Sequence, residues 1–249
     1  APGAPRKAMY RSCDHWLREG GLDDIEVSFC NAGDDLFHVQ HYVPPLMEYV
    51  RKYEAHLSFH HELVAVEGPA KKAWFDIGAP GQETRHEALD FDMLHVCPPQ
   101  AAPDFIRDSS LANEAGWVDV DQHSLRHNRF ENIFSLGDVC SAPNAKTLAA
   151  ARIQAPVVAE NLVAVLEGKE PVAGYLGYGS CPLTVERGKI VLAEFGYDDK
   201  LLPTFPKWLI KSDKASKAAW FLKEKMLPTV YYQLMLKGRE WLARPGSPS

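Results

Sequence analysis

The run Asn132-Ile-Phe-Ser-Leu-Gly-Asp138, followed by a short loop and an Ala-rich helical pattern from Lys146, is the strongest chemical signal in the sequence. Gly137 lets a chain leaving a strand approach a ligand closely, and Asp138 can accept hydrogen bonds from ligand hydroxyls. A helix starting just beyond adds N–H groups and positive dipole to an electron-rich ring edge. That combination suits a flavin or a dinucleotide. A strand–turn–helix whose aspartate merely caps the turn satisfies the same residues. The five cysteines (Cys13, Cys30, Cys97, Cys140 and Cys181) are widely spaced without a Cys-x-x-Cys pair. Neither a disulfide scaffold nor a Cys-ligated zinc site is indicated, so cysteine chemistry must come from residues that folding brings together. The histidines suggest no metal site. His60 and His61 point to opposite faces of a strand-like segment, and His38 and His41 lack helical i, i+4 spacing.

The elements that must position these groups read as α/β. Residues 7–20 place Met9, Cys13, Trp16 and Leu17 on one helical stripe, stopped by Gly20-Gly21. Ile25–Phe29 alternates as a strand, and residues 44–54 form a helix opened by Pro44-Pro45. Short strands are expected at 57–59, 62–66, 73–77 and 91–96, an order that suits part of a nucleotide-binding domain carrying a β-meander. A second unit begins near Asn113, with strands at 116–120 and 133–136. A long helix over 146–166 follows, N-capped by Asn144 and interrupted at Pro156. Residues 174–206 turn back to short strands, with Lys189–Phe195 the clearest, and the tail reads as two helical pieces separated by Pro228. The domain boundaries expected are 1–112, 113–206 and 207–249.

Of 249 residues, 46% are hydrophobic and 24% charged, the mix of an ordinary globular chain long enough to bury a core without staples. The net charge of −6 hides an asymmetry, because Lys207 to Arg244 carries nine basic and only three acidic residues. A basic tail on an acidic body points to an anionic surface met by the C-terminal segment, and it argues against nucleic acid as a partner. No unbroken apolar run of membrane-spanning length is present, so no transmembrane helix is expected. The opening Ala-Pro-Gly-Ala-Pro, without a signal-peptide core, reads as the interior of a longer chain.

The segment ending in Gly137-Asp138 resembles the second FAD-binding motif of the two-dinucleotide-domain flavoprotein disulfide reductases. Gly3-Ala-Pro-Arg-Lys-Ala-Met9, Met93-Leu-His-Val-Cys-Pro-Pro99, Gly116-Trp-Val-Asp-Val120, Gly177-Tyr-Gly-Ser-Cys-Pro-Leu183 and Met226-Leu-Pro-Thr-Val-Tyr-Tyr232 narrow the resemblance. In that order they resemble the sulfide:quinone oxidoreductase family, particularly its mitochondrial branch. The resemblance implies a partial two-dinucleotide-binding-domain flavoprotein fold with a C-terminal amphipathic helical tail. Its units would be part of the second dinucleotide-binding-like domain, the C-terminal part of the FAD-binding domain, and the membrane-associating tail.

It also implies an activity: oxidation of hydrogen sulfide to sulfane sulfur, with two electrons passed through FAD to a membrane quinone. A thiol or sulfite would take up the sulfur. Localisation would be at the mitochondrial inner membrane in a eukaryote or the cytoplasmic membrane in a bacterium. Cys181 maps onto one cysteine of the family's redox pair, and an electropositive or helix-flanked setting would favour its thiolate. The other cysteine maps onto Ala1, and the family's first G-x-G-x-x-G turn is missing, which implies a C-terminal portion inactive by itself. Lys146 falls where the family has a lysine near the flavin's polar edge, with Thr147 and the N–H groups after it contributing more generally. Phe195 and Phe205 are candidates for a quinone channel, and Cys140 is a weaker candidate for a substitute redox partner. Cys13, Cys30 and Cys97 read as core. In the tail, Phe205, Trp208, Leu209, Trp220, Phe221, Leu222, Leu227, Tyr231, Leu234, Met235, Trp241 and Leu242 interleave with the cations, the composition of helices lying in a lipid interface. Two other readings compete: a type II NADH:quinone oxidoreductase-like flavoprotein, and a non-catalytic membrane-binding module.

Overall fold

The computed structural model describes residues 3–206, 208–239, 245 and 246. Ala1, Lys207, Trp241, Leu242 and Arg244 therefore lie outside the described residues. Helix α1 (Ala4–Glu19) ends on Gly20 in the left-handed conformation, which closes the Schellman-type stop its sequence announces. Strands β1 (Ser28–Asn31) and β2 (His56–Phe59) pair in parallel, joined through α2 (Val43–Lys52) in a small strand–helix–strand crossover. Strands β3 (His61–Glu67), β4 (Lys72–Ile77) and β5 (Arg85–Asp90) form an antiparallel meander. The strand expected at 91–96 is instead irregular, because β5 has already ended at Asp90. A single helical turn, α3 (Asp104–Arg107), opens the following region.

Residues 112–140 hold no regular strand. The strands expected at 116–120 and 133–136 appear as isolated bridges, Ala112 with Val118, Val118 with Cys140, Val120 with His127 and Arg126 with Phe134. Helix α4 (Leu148–Leu166) is capped by Thr147, whose hydroxyl accepts from the Ala150 amide, and not by Asn144. Pro156 lies inside α4 without ending it. By length and composition α4 is apolar enough to cross a bilayer, which the lack of an unbroken apolar run hid. Two of its polar side chains are instead bonded into the domain. Fully buried Asn161 donates to the carbonyls of Ser124 and Ala173 and accepts from the amides of Val172 and Ala173. Gln154, also fully buried, accepts from the Gly137 amide at 2.7 Å.

Strands β6 (Gly179–Glu186) and β7 (Lys189–Phe195) form a two-stranded antiparallel ribbon that organises the molecule. Side chains alternate across it. Cys181, Leu183, Val185, Val191, Ala193 and Phe195 join the largest core with α1, β1 and α2. Ile190 and Leu192 face the other way, against Ile210 and Ala219 of the tail, with Phe205, Trp220 and Leu222 packed around them. The tail carries α5 (Lys217–Phe221), one π-helical turn over 222–226, and α6 (Leu227–Gln233). Pro228, which has no N–H for a regular helical bond, sits at the start of α6, so the expected division becomes a wide turn within one helical run.

Candidate functional site

Two neighbouring features carry chemistry: a cleft and a thiol. The cleft, about 630 Å³, is bordered by the unbroken stretch Ser141 to Lys146, with Trp117 and Phe195 as aromatic walls. Gly137, which precedes the lining stretch by four residues and is not itself on the wall, has a φ of +74°, the left-handed conformation that glycine adopts without strain. The Lys146 ammonium sits 4.1 Å from the centre of the Trp117 ring and donates to the Cys140 carbonyl at 2.6 Å. Burial pushes the Lys146 pKa down against the opposing influence of Cys140 and Asp138, so its charge is incompletely solvated. A flat ring with an anionic edge would relieve that cost while stacking among apolar walls. Asn144 also borders the cleft and donates to the Tyr175 hydroxyl.

The thiol of Cys181 is 3% exposed and lies at the N-terminal end of α1. Gly3, the residue before that helix, has its α-carbon against the sulfur, and a Cβ there would overlap Sγ. Arg6 and Lys7 of α1 and Lys223 of the tail's π-helical turn direct positive charge at the sulfur. Lys223 donates to Thr184 at 2.8 Å, and its own pKa is pushed down by burial and then by Lys7 and Arg11. The setting is the start of a helix with three cations aimed at the sulfur. The Cys181 pKa is nevertheless raised, because desolvation outweighs the three cations.

Cleft and thiol meet through the ribbon. Cys181 and Gly179 share one strand face about 7 Å apart, and a Cβ at Gly179 would rest 3.5 Å from the Ala145 Cβ in the cleft wall. Cys181 is therefore one strand step from a residue packed against the cleft wall; its side chain belongs to the largest core, with Arg6, Lys7 and Lys223 directing positive charge at the sulfur.

The remaining candidates divide. Lys146 and Phe195 border the cleft. Thr147 caps α4, Gly137 forms the turn, and Asp138 is exposed. Phe205 is separated from Phe195 by the thickness of the ribbon: Phe195 faces the inner core and Phe205 the tail cluster. Cys140 belongs to a different core from Cys181, and its sulfur donates to the Gly137 carbonyl. Cys13 is core, Cys30 is half-buried, and Cys97 is exposed, 3.9 Å from His95 Nδ1, because its segment is irregular. No group of three or more His, Cys, Asp or Glu arranged to hold a metal occurs among the described residues. Sequence reasoning missed Arg6, Lys7 and Lys223 around the thiol and His38 at the cleft rim. It also missed Gln154 under the glycine turn. The nearest available signal was the Gly-Ala-Pro-Arg-Lys run, which begins at the sulfur.

No family model matches the chain. It is 34% identical over 236 residues to "Sulfide:quinone oxidoreductase, mitochondrial" of Mus musculus, covering 95% of this chain and 51% of the relative. The protein of that name in Dictyostelium discoideum is 37% identical over 244 residues, covering 97% of this chain and 52% of the relative. The one in Schizosaccharomyces pombe is 34% identical over 248 residues, covering 98% and 53%. The chain thus spans about half the length of the curated relatives it matches. Among solved structures, a chain of the Tetrahymena thermophila mitochondrial ATP synthase superposes with a TM-score of 0.70 at 22% identity, covering 96% of this chain and 56% of that one. The sulfide:quinone oxidoreductase of Aquifex aeolicus superposes with a TM-score of 0.67 at 14% identity, covering 98% and 62%. These two likenesses are of fold.

Proposed function

We propose that this chain, related over nearly its whole length to mitochondrial sulfide:quinone oxidoreductases, contributes a flavin-ring cleft and one redox thiol to an enzyme of that activity. The enzyme oxidises hydrogen sulfide to sulfane sulfur and delivers two electrons through FAD to a membrane quinone. The observation that carries the reading is Cys181: a buried thiol at a helix N-terminus, facing Arg6, Lys7 and Lys223, one strand step from the wall of an aromatic-lined cleft.

The residues present fit the ring portion of FAD. Trp117, Ala145 and Phe195 offer flat apolar contact, and Lys146 offers an underpaired cation for an anionic ring edge. When bound, FAD supplies the two-electron step between thiol and quinone. Lys146 holds charge at that edge, Thr147 and Gln154 fix the helix start and the glycine turn, and the apolar walls exclude water. At the thiol, the three cations draw in hydrosulfide and favour the thiolate that must form during turnover, against the opposing effect of burial. The same cations suit an anionic sulfur acceptor such as sulfite or a thiolate. Ala1, the position that the family resemblance assigns to the second cysteine, precedes Gly3 by two residues, and Gly3 abuts the sulfur.

The tail suits a membrane face and so supports residence at a mitochondrial membrane. Trp208, Phe221, Leu227, Tyr232 and Leu236 are exposed beside exposed Lys211, Lys214, Lys217, Lys225 and Lys237. Other tail apolar residues, Ile210 and Trp220 among them, are spent on the ribbon.

The test is Cys181→Ser in the whole flavin-loaded protein. Sulfide is expected to bleach the flavin of the parent and not of the variant, while NADH bleaches neither. A variant that sulfide still bleaches at the parent's rate, or a parent that responds to NADH alone, refutes the reading.

A further inference from the structure

Helix α4 is faced on two sides by residues that avoid water, and its own domain covers one of them. Ala150, Gln154, Val157, Asn161 and Ala164 recur every three or four residues and are buried. Leu148, Ala155, Ala159, Leu162 and Leu166 recur at intervals of three, four or seven on the opposite side and are exposed, Leu148 to 70% and Leu166 to 78%. Only 28% of the helix's apolar window is buried. Toward its C-terminal end, Val163 and Val172 border a shallow groove of about 400 Å³ rimmed by Glu160, Glu167 and Lys169.

A helix apolar all round belongs in the interior of a large protein or across a bilayer. The bilayer does not fit. Gln154 and Asn161 are bonded into this domain, and Arg152 and Glu160 flank the open face part-way along the helix, where a lipid covering would put charge in hydrocarbon. An apolar centre with a polar rim is instead the anatomy of a protein interface. The relatives give the size of what covers it. This chain, with 95–98% of its residues matched, accounts for 51–53% of their length, so about as much polypeptide again lies outside the match. The face also adjoins the site, because Leu148 follows the cap Thr147 and the cleft residue Lys146.

We propose that the open face of α4 docks the other half of the enzyme. That half is a folded unit, equivalent to the part of the relatives outside the match, whose own apolar layer lies along Leu148 to Leu166 and whose polar groups meet Glu160, Glu167 and Lys169. Docking rests on the helix and on the length of the relatives. A second consequence rests on the function proposed above: a unit seated at Leu148 stands at the rim of the cleft, where the parts of FAD beyond its ring need partners. Apolar packing of this kind needs no peptide link, so the two halves assemble as separate chains.

The experiment co-expresses the tagged chain with the part of the Dictyostelium discoideum relative that lies outside the match, as a separate polypeptide. Co-purification with bound flavin is expected. Leu162→Asp and Leu166→Asp, both at exposed positions, should each lower the captured partner by on the order of tenfold or more, the effect of an unpaired charge enclosed in an interface. Val64→Asp, on exposed β3, should leave capture unchanged. Capture at the parent's level by both α4 variants overturns the proposal, as does a parent that captures nothing. A chain that pairs with itself, or binds phosphatidylcholine vesicles, and loses this in Leu162→Asp gives the face to a second copy or to lipid and also overturns it. If the aspartate variants do not fold, Leu166→Cys decides: maleimide should label it in the chain alone and be excluded in the pair, and equal labelling overturns the docking. An assembled pair whose flavin sulfide cannot bleach leaves the docking standing and refutes the function.

Discussion

The contact between Gly3 and Cys181 can be tested without any cofactor. In Gly3→Ala the new Cβ would fall inside the normal contact distance to Sγ by about 1 Å, and it would lie 3.3 Å from both Leu183 Cδ2 and Lys7 Cε. The backbone is not the obstacle, because Gly3 has φ −113° and ψ −11°, which alanine adopts without strain. The penalty is therefore overpacking alone. Relief is limited on both sides: β6 is paired along its length with β7, and α1 is held by Arg6 donating to the Leu36 carbonyl and Tyr10 to that of Leu46. Overpacking at a site this enclosed costs about 1–3 kcal/mol. Denaturant unfolding of the chain should show that loss, with a midpoint on heating lower by roughly 2–4 °C per kcal/mol for a chain of this size. The double variant Gly3→Ala/Cys181→Ala removes the sulfur and should recover most of it, a coupling of at least about 1 kcal/mol. A Gly3→Ala protein as stable as the parent, or a double variant with no recovery, would show that the thiol does not sit against the start of α1.

Two further outcomes follow from buried groups. Asn161→Leu leaves two backbone carbonyls and two amides without their side-chain partner, so it should cost about 3–5 kcal/mol in denaturant unfolding, and a loss below about 1 kcal/mol would contradict the bonding described. Burial pushes the Cys13 thiol from 9.0 up to about 11, so the folded chain holds that proton more tightly than the unfolded one. Its contribution is intact below pH 9 and is lost as pH rises from 9 toward 11; Cys13→Ala should flatten that part of the stability–pH curve, and an unaltered curve would refute the assignment.

Helices α1 and α2 were legible because their apolar residues recur at helical spacing, α4 through its long Ala-rich run of helix formers, and β7 through an unbroken apolar run. Strand β6 was legible only as one of the short strands expected across 174–206, without bounds; Pro182 is tolerated in it because β6 pairs with β7 on one side alone. The region 112–140 misled. Its alternating residues are satisfied by single bridges and turns around Asp121 and Asn113, which leave no periodic trace. Asn161 and Gln154 looked like the polar side of α4, because a sequence does not reveal that a loop carbonyl is waiting for a buried amide. At the site, Cys181 and Gly137 stood out through short local patterns. The cations around the sulfur come from α1 and from a tail more than 200 residues away, so their convergence is a property of the fold.

The ribbon's outer edge has a consequence for how the chain can be cut. Among the described residues strand β7 has no third strand beside it, and the tail covers part of that edge: Ile190 exchanges both backbone hydrogen bonds with Ser216, while Ile210 and Ala219 shield Ile190 and Leu192. The basic segment is therefore a structural cover as well as a candidate anchor. A fragment ending near residue 206, designed to improve solubility by discarding the exposed Trp208, would instead bare the Ile190 amide and carbonyl beside the apolar side chains of Ile190 and Leu192. Such an edge recruits strands from other molecules, so the shortened protein would self-associate.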